Sequence, residues 1–239
     1  MGRARVPCYR KPRVLLLSTG DELRGVDDKL KPGEIVNTNR YTLSAAIQEA
    51  GAEVVDAGVA RDALDELVRG VEQAGGADLI VSTGGVSMGK YDLVRNLLEQ
   101  NKGIDFWQVA LRPGKPLAFG IYEGRPFIGL PGNPVSALVC FELFVRPALR
   151  EMQGLAPGPR LQPAVTDEDL DSPPHLEQYF RTIARRDDRG AIHVRLTGDQ
   201  GSHVLRSMAD ANSLTRVPQG AGRLAAGAAV EIIELTPIS

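Results

Sequence analysis

The chain has 239 residues, 43% hydrophobic and 24% charged, a balance that fits a soluble globular protein with room for two domains and excludes disorder. Lys plus Arg number 28 against 30 Asp plus Glu, a net charge of −2, which sets a nucleic-acid partner aside. No run approaches the ~18 apolar residues of a membrane span, and Met1–Arg13 is basic and polar rather than a secretory leader. The cluster Arg3, Arg5, Arg10, Lys11 and Arg13 reads as a solvated lead-in. Cys8 and Cys140 form no CxxC pair and fit a reducing cytoplasm. His175, His193 and His203 lack zinc-ligand spacing. Aromatic residues, at 5%, are too few for a base-stacking surface.

Residues 1–154 alternate strand and helix signals. Val14–Leu17 is an apolar run closed by Thr19-Gly20, which predicts a strand buried on both faces. Leu43, Ala46, Ile47 and Ala50 have helical spacing, with Gly51 as the C-terminal stop. Val54-Val55 starts a strand, and Asp62 caps a helix presenting Ala63, Leu64, Leu67, Val68 and Val71. Leu79-Ile80-Val81 is a third buried strand before the glycine-rich 83–89 segment. Residues 91–100 read as helix, 104–110, 117–121 and 126–129 as strands, and Pro134 opens a long helix to about Met152. The expected fold is α/β, a doubly wound, mostly parallel sheet. The Gly154–Pro159 stretch reads as a linker. Beyond it, residues 155–239 contain no Lys, and nine Arg face eleven acids. Strands are expected at 178–184, 191–196, 213–217 and 229–235, making a small all-β barrel or sandwich domain.

Ligands of open α/β sheets bind at the carboxyl ends of the strands, where four segments fall: 18–23, 83–92, 112–116 and 130–134. The second nearly matches two known patterns. Gly84-x4-Gly89-Lys90 is a Walker A loop except that Tyr91 stands where a small hydroxyl would hold Mg²⁺. Gly85-Val86-Ser87-Met88-Gly89 matches a nucleophile elbow, yet two glycines separate strand from serine, and the next histidine, His175, lies in the other domain. What remains is an anion cradle of backbone N–H groups entering a helix. Asp92 could hold Mg²⁺ there or be an ordinary first-turn acid. Glu22 and Asp62 could supply a second carboxylate or act as caps. Arg112 and Lys115 flank a Pro-Gly turn, suiting an oxyanion clamp or a pair of solvated cations. Leu130–Pro134 is a rigid turn before a helix N-terminus, either an anion site or helix initiation.

Five motifs then stand in order: Ser-Thr-Gly-Asp-Glu-Leu (18–23), Asn-Thr-Asn (37–39), Gly-Gly-Val-Ser-Met-Gly-Lys-Tyr-Asp (84–92), Arg-Pro-Gly-Lys-Pro (112–116) and Leu-Pro-Gly-Asn-Pro-Val-Ser-Ala (130–137). Together they strongly resemble the molybdopterin molybdenumtransferase family of molybdenum cofactor synthesis, related to the E domain of gephyrin. The resemblance implies a molybdopterin-binding α/β domain (1–154) and a small β-barrel domain (155–239). It also implies the reaction: adenylylated molybdopterin is hydrolysed, AMP leaves, and molybdate is inserted with Mg²⁺ assisting. Carried over by motif, Glu22, Asp62 and Asp92 match the active-site acids, with Asp92 and Asp62 as the metal ligands. Thr19, Gly20, Thr83, Gly84, Gly85, Ser87, Gly89, Pro131, Gly132 and Pro134 match the pterin site. Arg112, Lys115, Pro116, Arg181 and Ser202 match the molybdate site. The family often has Lys where Arg112 stands here, so the charge is kept with a different geometry. It also carries two further domains ahead of the segment that begins here, and the full-length family is a homodimer; this chain is expected to be a C-terminal portion. Two other readings stay open: adenylylation of molybdopterin, and a non-catalytic pterin-binding or scaffold module.

Overall fold

The computed structural model describes residues 2–60, 76–84, 104–159 and 161–238. The helices expected at 63–71 and 91–100 lie outside them. β1 (Arg13–Thr19) is followed by the short β2 (Leu23–Arg24) and β3 (Ile35–Val36), helix α1 (Thr38–Glu49), β4 (Glu53–Ala60) and β5 (Leu79–Thr83). Then come β6 (Ile104–Gln108), β7 (Leu111–Arg112), β8 (Pro116–Tyr122), β9 (Arg125–Leu130) and α2 (Pro134–Cys140), which continues through a π-helical turn, Phe141–Val145, into α3 (Arg146–Met152). The remainder is β10 (Leu161–Thr166), β11 (Leu170–Asp171), β12 (Glu177–Arg186), β13 (Ile192–Leu196), α4 (Leu205–Ala209), β14 (Ser213–Val217), β15 (Arg223–Leu224) and β16 (Ala229–Glu234).

The first sheet has the order β4-β1-β5-β9-β8-β6. β4, β1, β5 and β9 are parallel neighbours, whereas β8 runs antiparallel to both β9 and β6. The sheet is therefore mixed, with its parallel part on one side only. The reversal has a local cause. Glu123 and Gly124, the two residues between β8 and β9, both have positive φ (48° and 77°), as in a tight two-residue hairpin that returns the chain beside itself.

Alternation along β1 divides its side chains between two covered faces. Val14 and Leu16 join Leu43 and Ile47 of α1 and Val135 and Val139 of α2 in one apolar cluster, while Leu15 and Leu17, on the opposite face, are equally buried. The long helix anticipated from Pro134 to Met152 is interrupted at its middle. Pro147 has no N–H and its ring would collide with the Leu143 carbonyl in a regular α-helix, so the chain widens to a π turn just before it. The buried Glu142 of that turn takes two hydrogen bonds from Arg146, at 2.5 and 2.8 Å.

β10, β16, β14, β12 and β13 close into a five-stranded barrel, because β13 pairs with both β12 and β10. Along β12, Phe180 and Ala184 enter the barrel's apolar core, whereas Tyr179 joins the cluster of α2 and the first sheet, as do Leu214 and Ile233. The two sheet systems thus share one hydrophobic cluster. A direct strand contact reinforces it: β7 adds to the barrel sheet in parallel with β12, pairing Arg112 with Gln178. Seven elements had no counterpart in the sequence reading: the two-residue strands β2, β3, β7, β11 and β15, together with β10 and α4. β10 contains Pro163, which demotes a strand signal, and α4, at 5 residues, is too short to show a period.

Leu43 is fully buried between α1 and the sheet. Leu43→Ala is expected to lower stability by about 2–5 kcal/mol, read as a lower urea midpoint with an unchanged slope.

Candidate active site

β1, β5 and β9 end in step: Ser18 pairs with Thr83, and Thr83 with Leu130. Their following loops are therefore brought together at one edge of the sheet, where an open α/β sheet takes its ligand. Thr83 Oγ1 donates to the Pro131 carbonyl (3.1 Å), and the Gly84 N–H donates to the Leu130 carbonyl (3.2 Å). Asn39, in the first turn of α1, donates from Nδ2 to Thr83 Oγ1 (2.7 Å) and to the Gly132 carbonyl (2.8 Å). One buried amide so ties a helix start, a strand end and the β9–α2 loop.

Glycine is required at two of these positions. Gly84 has φ +82°, and a Cβ there would sit 2.5 Å from the Thr19 carbonyl oxygen. At Gly20 (φ +149°) a Cβ would lie 2.7 Å from both Glu22 carboxylate oxygens, so the absence of a side chain lets Glu22 fold back over the loop.

The opposite wall is cationic. Arg112 and Lys115 are exposed at the two ends of a buried turn through Pro113 and Gly114. That turn rests on the core: a Cβ on Gly114 would overlap the sulfur of Cys140, whose thiol lies 3.7 Å from the Gly114 carbonyl. Burial pushes the Cys140 thiol well above its ordinary pKa, so it serves as packing rather than as a nucleophile. From β12 comes Arg181, 1% exposed. Its Nε donates to Ser207 Oγ (3.1 Å) and its Nη2 to the carbonyls of Gly201 (3.2 Å) and Asp199 (3.4 Å). Gln200 clamps the same loop, accepting from the Arg181 N–H (2.9 Å) and donating back to the Arg181 carbonyl (3.2 Å). Ser202, at the loop's tip, receives a hydrogen bond from Asn133 Nδ2 (3.1 Å), and its carbonyl accepts from Val135 N–H (3.2 Å).

Among the described residues none of Arg112, Lys115 and Arg181 makes an ion pair with a carboxylate. Burial lowers the Arg181 pKa to about 10; Asp199 opposes that shift and the neighbouring Arg112 charge adds to it. The guanidinium is still charged at neutral pH, and a buried cation without a carboxylate is a strong attractor for an anion.

All of this lines one cleft of about 950 Å³. It brings together Thr19, Gly20, Glu22, Thr83, Gly84, Pro131, Gly132 and Pro134 on one side, and Arg112, Lys115, Pro116, Arg181 and Ser202 on the other. Asp62, Gly85, Ser87, Gly89 and Asp92 lie outside the described residues. Among the described residues no three His, Cys, Asp or Glu side chains group as a metal site, and no helix is long and apolar enough to cross a membrane. Sequence reasoning left Gln178, Gln200 and Asn133 out of the site; Asn133 stands in the 130–137 motif, whereas Gln178 and Gln200 reach the cleft only through strand pairing and loop return. Asn37 and Asn39 were visible as a motif but had no assigned place.

Fold and site together define an α/β domain whose strand-end cleft is walled by a β-barrel. The chain belongs to the "Probable molybdopterin binding domain" family, whose model matches residues 15–151, and the "MoeA C-terminal region (domain IV)" matches residues 163–235. It is 37% identical over 235 residues to a molybdopterin molybdenumtransferase of Haemophilus influenzae, spanning 97% of this chain and 58% of the relative. To molybdopterin molybdenumtransferase 2 of Mycobacterium tuberculosis it is 39% identical over 245 residues, spanning 99% and 60%. The crystal structure of a molybdopterin biosynthesis MoeA protein from Pyrococcus horikosii superposes with a TM-score of 0.77 at 31% identity, over 96% of this chain and 56% of that one. The chain thus spans less than two thirds of the length of these relatives.

Burial lowers the Arg181 pKa to about 10, so an anion held by this guanidinium is expected to stay bound from pH 6 to 9 and to be lost as pH rises past about 10. Titrating molybdate calorimetrically into the wild type and Arg181→Ala checks this. The variant should bind at least tenfold more weakly at pH 7, and the gap between the two should narrow above pH 10.

Proposed function

We propose that this chain carries the substrate-handling chemistry of a molybdopterin molybdenumtransferase: molybdate is inserted into adenylylated molybdopterin as AMP is released. The observation that carries the reading is that one cleft is lined both by cationic side chains and by glycine-rich strand ends. One wall presents Arg112, Lys115 and Arg181 without carboxylate partners among the described residues, beside the Ser202 hydroxyl. A tetrahedral dianion needs that combination of cations and a neutral donor. The other is a set of glycine-rich strand ends where backbone comes close to a ligand, as a phosphorylated heterocycle requires.

In this reading Arg181 holds the oxyanion from a fixed position, since its Nε and Nη2 hydrogen bonds and the Gln200 clamp leave it little freedom. Arg112 and Lys115 close on the anion from the Pro-Gly turn, whose buried centre fixes the backbone from which both side chains start. Mg²⁺ belongs to the same reading. Glu22 offers a hard oxygen donor inside the cleft, the ligand type that Mg²⁺ selects, and Asp62 and Asp92 are its assigned companions. When bound, the ion would neutralise charge developing on the phosphate. Glu22, whose carboxylate folds back beside Gly20, would in this reading help hold the ion rather than touch the phosphate itself. An adenylyltransferase reading would leave the barrel's buried cation without a task. The division at residue 154 and a homodimeric full-length protein complete the proposal.

The test is to mix the purified chain with adenylylated molybdopterin, Mg²⁺ and molybdate, and to follow AMP by chromatography. Molybdate-dependent AMP release is expected. Asp92→Asn should abolish it, with an unchanged circular dichroism spectrum, because a metal ligand is lost at constant volume. Release that does not depend on molybdate would overturn the insertion step.

A further inference from the structure

The Arg181 guanidinium has three donor nitrogens, and the fold engages two of them. Nε donates to Ser207 Oγ at 3.1 Å, and Nη2 donates to the carbonyls of Gly201 (3.2 Å) and Asp199 (3.4 Å). Nη1 has no hydrogen bond among the described residues. The orphaned amide atoms of Asn37, Asn39 and Gln178 are closed to solvent, whereas Nη1 is not. Arg181 lines the cleft, so Nη1 is the nitrogen left for a ligand there.

Ser207 lies buried on α4. Its own proton is committed, since the hydroxyl donates to the Val204 carbonyl at 2.7 Å. The oxygen therefore meets Arg181 Nε purely as an acceptor. Every partner of Nε and Nη2 is a neutral oxygen, so these bonds fix the guanidinium plane without cancelling its charge. The carboxylate of the same loop, Asp199, takes the Gly201 N–H instead (2.8 Å). Among the described residues it makes no ion pair with Arg181. Either fork that a guanidinium offers to a planar carboxylate uses Nε or Nη2, and both are engaged. One free nitrogen suits a single oxygen of a tetrahedral anion, whose other oxygens remain for the other donors of the cleft.

We infer that Ser207 is a positioning residue for the oxyanion: by holding Nε it sets the guanidinium so that Nη1 is presented to the anion. This role rests on the oxyanion reading above and adds to it a residue that does not itself line the cleft. Two routes lead from Ser207 to the cleft. One passes through the Arg181 guanidinium. The other passes through the Val204 carbonyl to the turn that carries Ser202, and would act even with the guanidinium removed. The positioning role is the first of these.

The test titrates molybdate calorimetrically into the wild type, Ser207→Ala, Ser207→Thr, Arg181→Ala and the double variant Arg181→Ala/Ser207→Ala. Ser207→Ala is expected to weaken molybdate about fivefold or more, with an unchanged circular dichroism spectrum. Ser207→Thr keeps the hydroxyl and should bind close to wild type. In the Arg181→Ala background the Ser207 substitution should weaken molybdate no further, because its effect passes through the guanidinium already lost. Unchanged molybdate affinity in Ser207→Ala would overturn the positioning role and leave the oxyanion reading standing. A double variant whose loss is the product of the two single losses would also overturn it, by sending the effect through the Ser202 turn. So would failure of Ser207→Thr to recover affinity at an unchanged circular dichroism spectrum. Absence of molybdate binding by the wild type would overturn the oxyanion reading itself, and the positioning role with it.

Discussion

The in-step ending of three parallel strands governs this molecule. Because Ser18, Thr83 and Leu130 lie abreast, the chain must leave the sheet at one place three times, and each exit has to avoid the others. Gly84 passes the Thr19 carbonyl where no Cβ could, and the Asn39 amide bridges the remaining gap to Thr83 and Gly132. The cleft's pterin-facing wall in our reading is therefore a by-product of strand register, held rigid by a few buried hydrogen bonds.

The cationic wall depends on a second constraint, the joining of barrel and sheet. β7 pairs with β12, so Arg112 and Gln178 are set side by side, and Tyr179, Leu214 and Ile233 sink into the same cluster as α2. Alternation along β12 then does the rest. With Phe180 and Ala184 in the barrel core, the odd-numbered Tyr179 and Arg181 are directed to the other side. Arg181 is buried by the loop it holds, through the Gly201 and Asp199 carbonyls. A guanidinium so placed is kept from water but given only neutral partners, which raises the benefit of an incoming anion.

Such a site opposes stability to function. The buried cation Arg181, without a carboxylate among the described residues, and three orphaned amide atoms, Asn37 Nδ2, Asn39 Oδ1 and Gln178 Oε1, are unfavourable in the bare protein. The apolar cluster that spans sheet, helices and barrel offsets them, and ligand that satisfies them should stabilise the fold by linkage. The Gly114 turn shows how closely the two are coupled: the core residue Cys140 is also the floor of the turn that aims Arg112 and Lys115.

Much of this was legible before any coordinates. Apolar runs at 14–17 and 79–81 and helical spacing from Leu43 mark the sheet and its first helix, because burial on both faces leaves no room for polar alternation. Pro134 marks a helix start. The glycine and proline punctuation of 18–23, 112–116 and 130–134 marks the loops, because close approach and sharp turns select those residues wherever they occur. Other features depend on partners distant in sequence, and local pattern carries no trace of them. Pro163 hides β10, since a strand that can spare a ladder bond is recognisable only once its neighbours are known. The π turn is the exception, a local answer to the clash of Pro147 with the Leu143 carbonyl that a reading of one long helix passed over. The meeting of Arg181 with Arg112, and the unmet donor and acceptor of Asn37 and Asn39, arise only when sheet, helix and barrel are assembled. The sequence alone determined which segments are buried, which must turn, and where the chain could approach a ligand. Only the tertiary structure decided which charges face one another and which polar atoms are left to be satisfied, because those are properties of pairs.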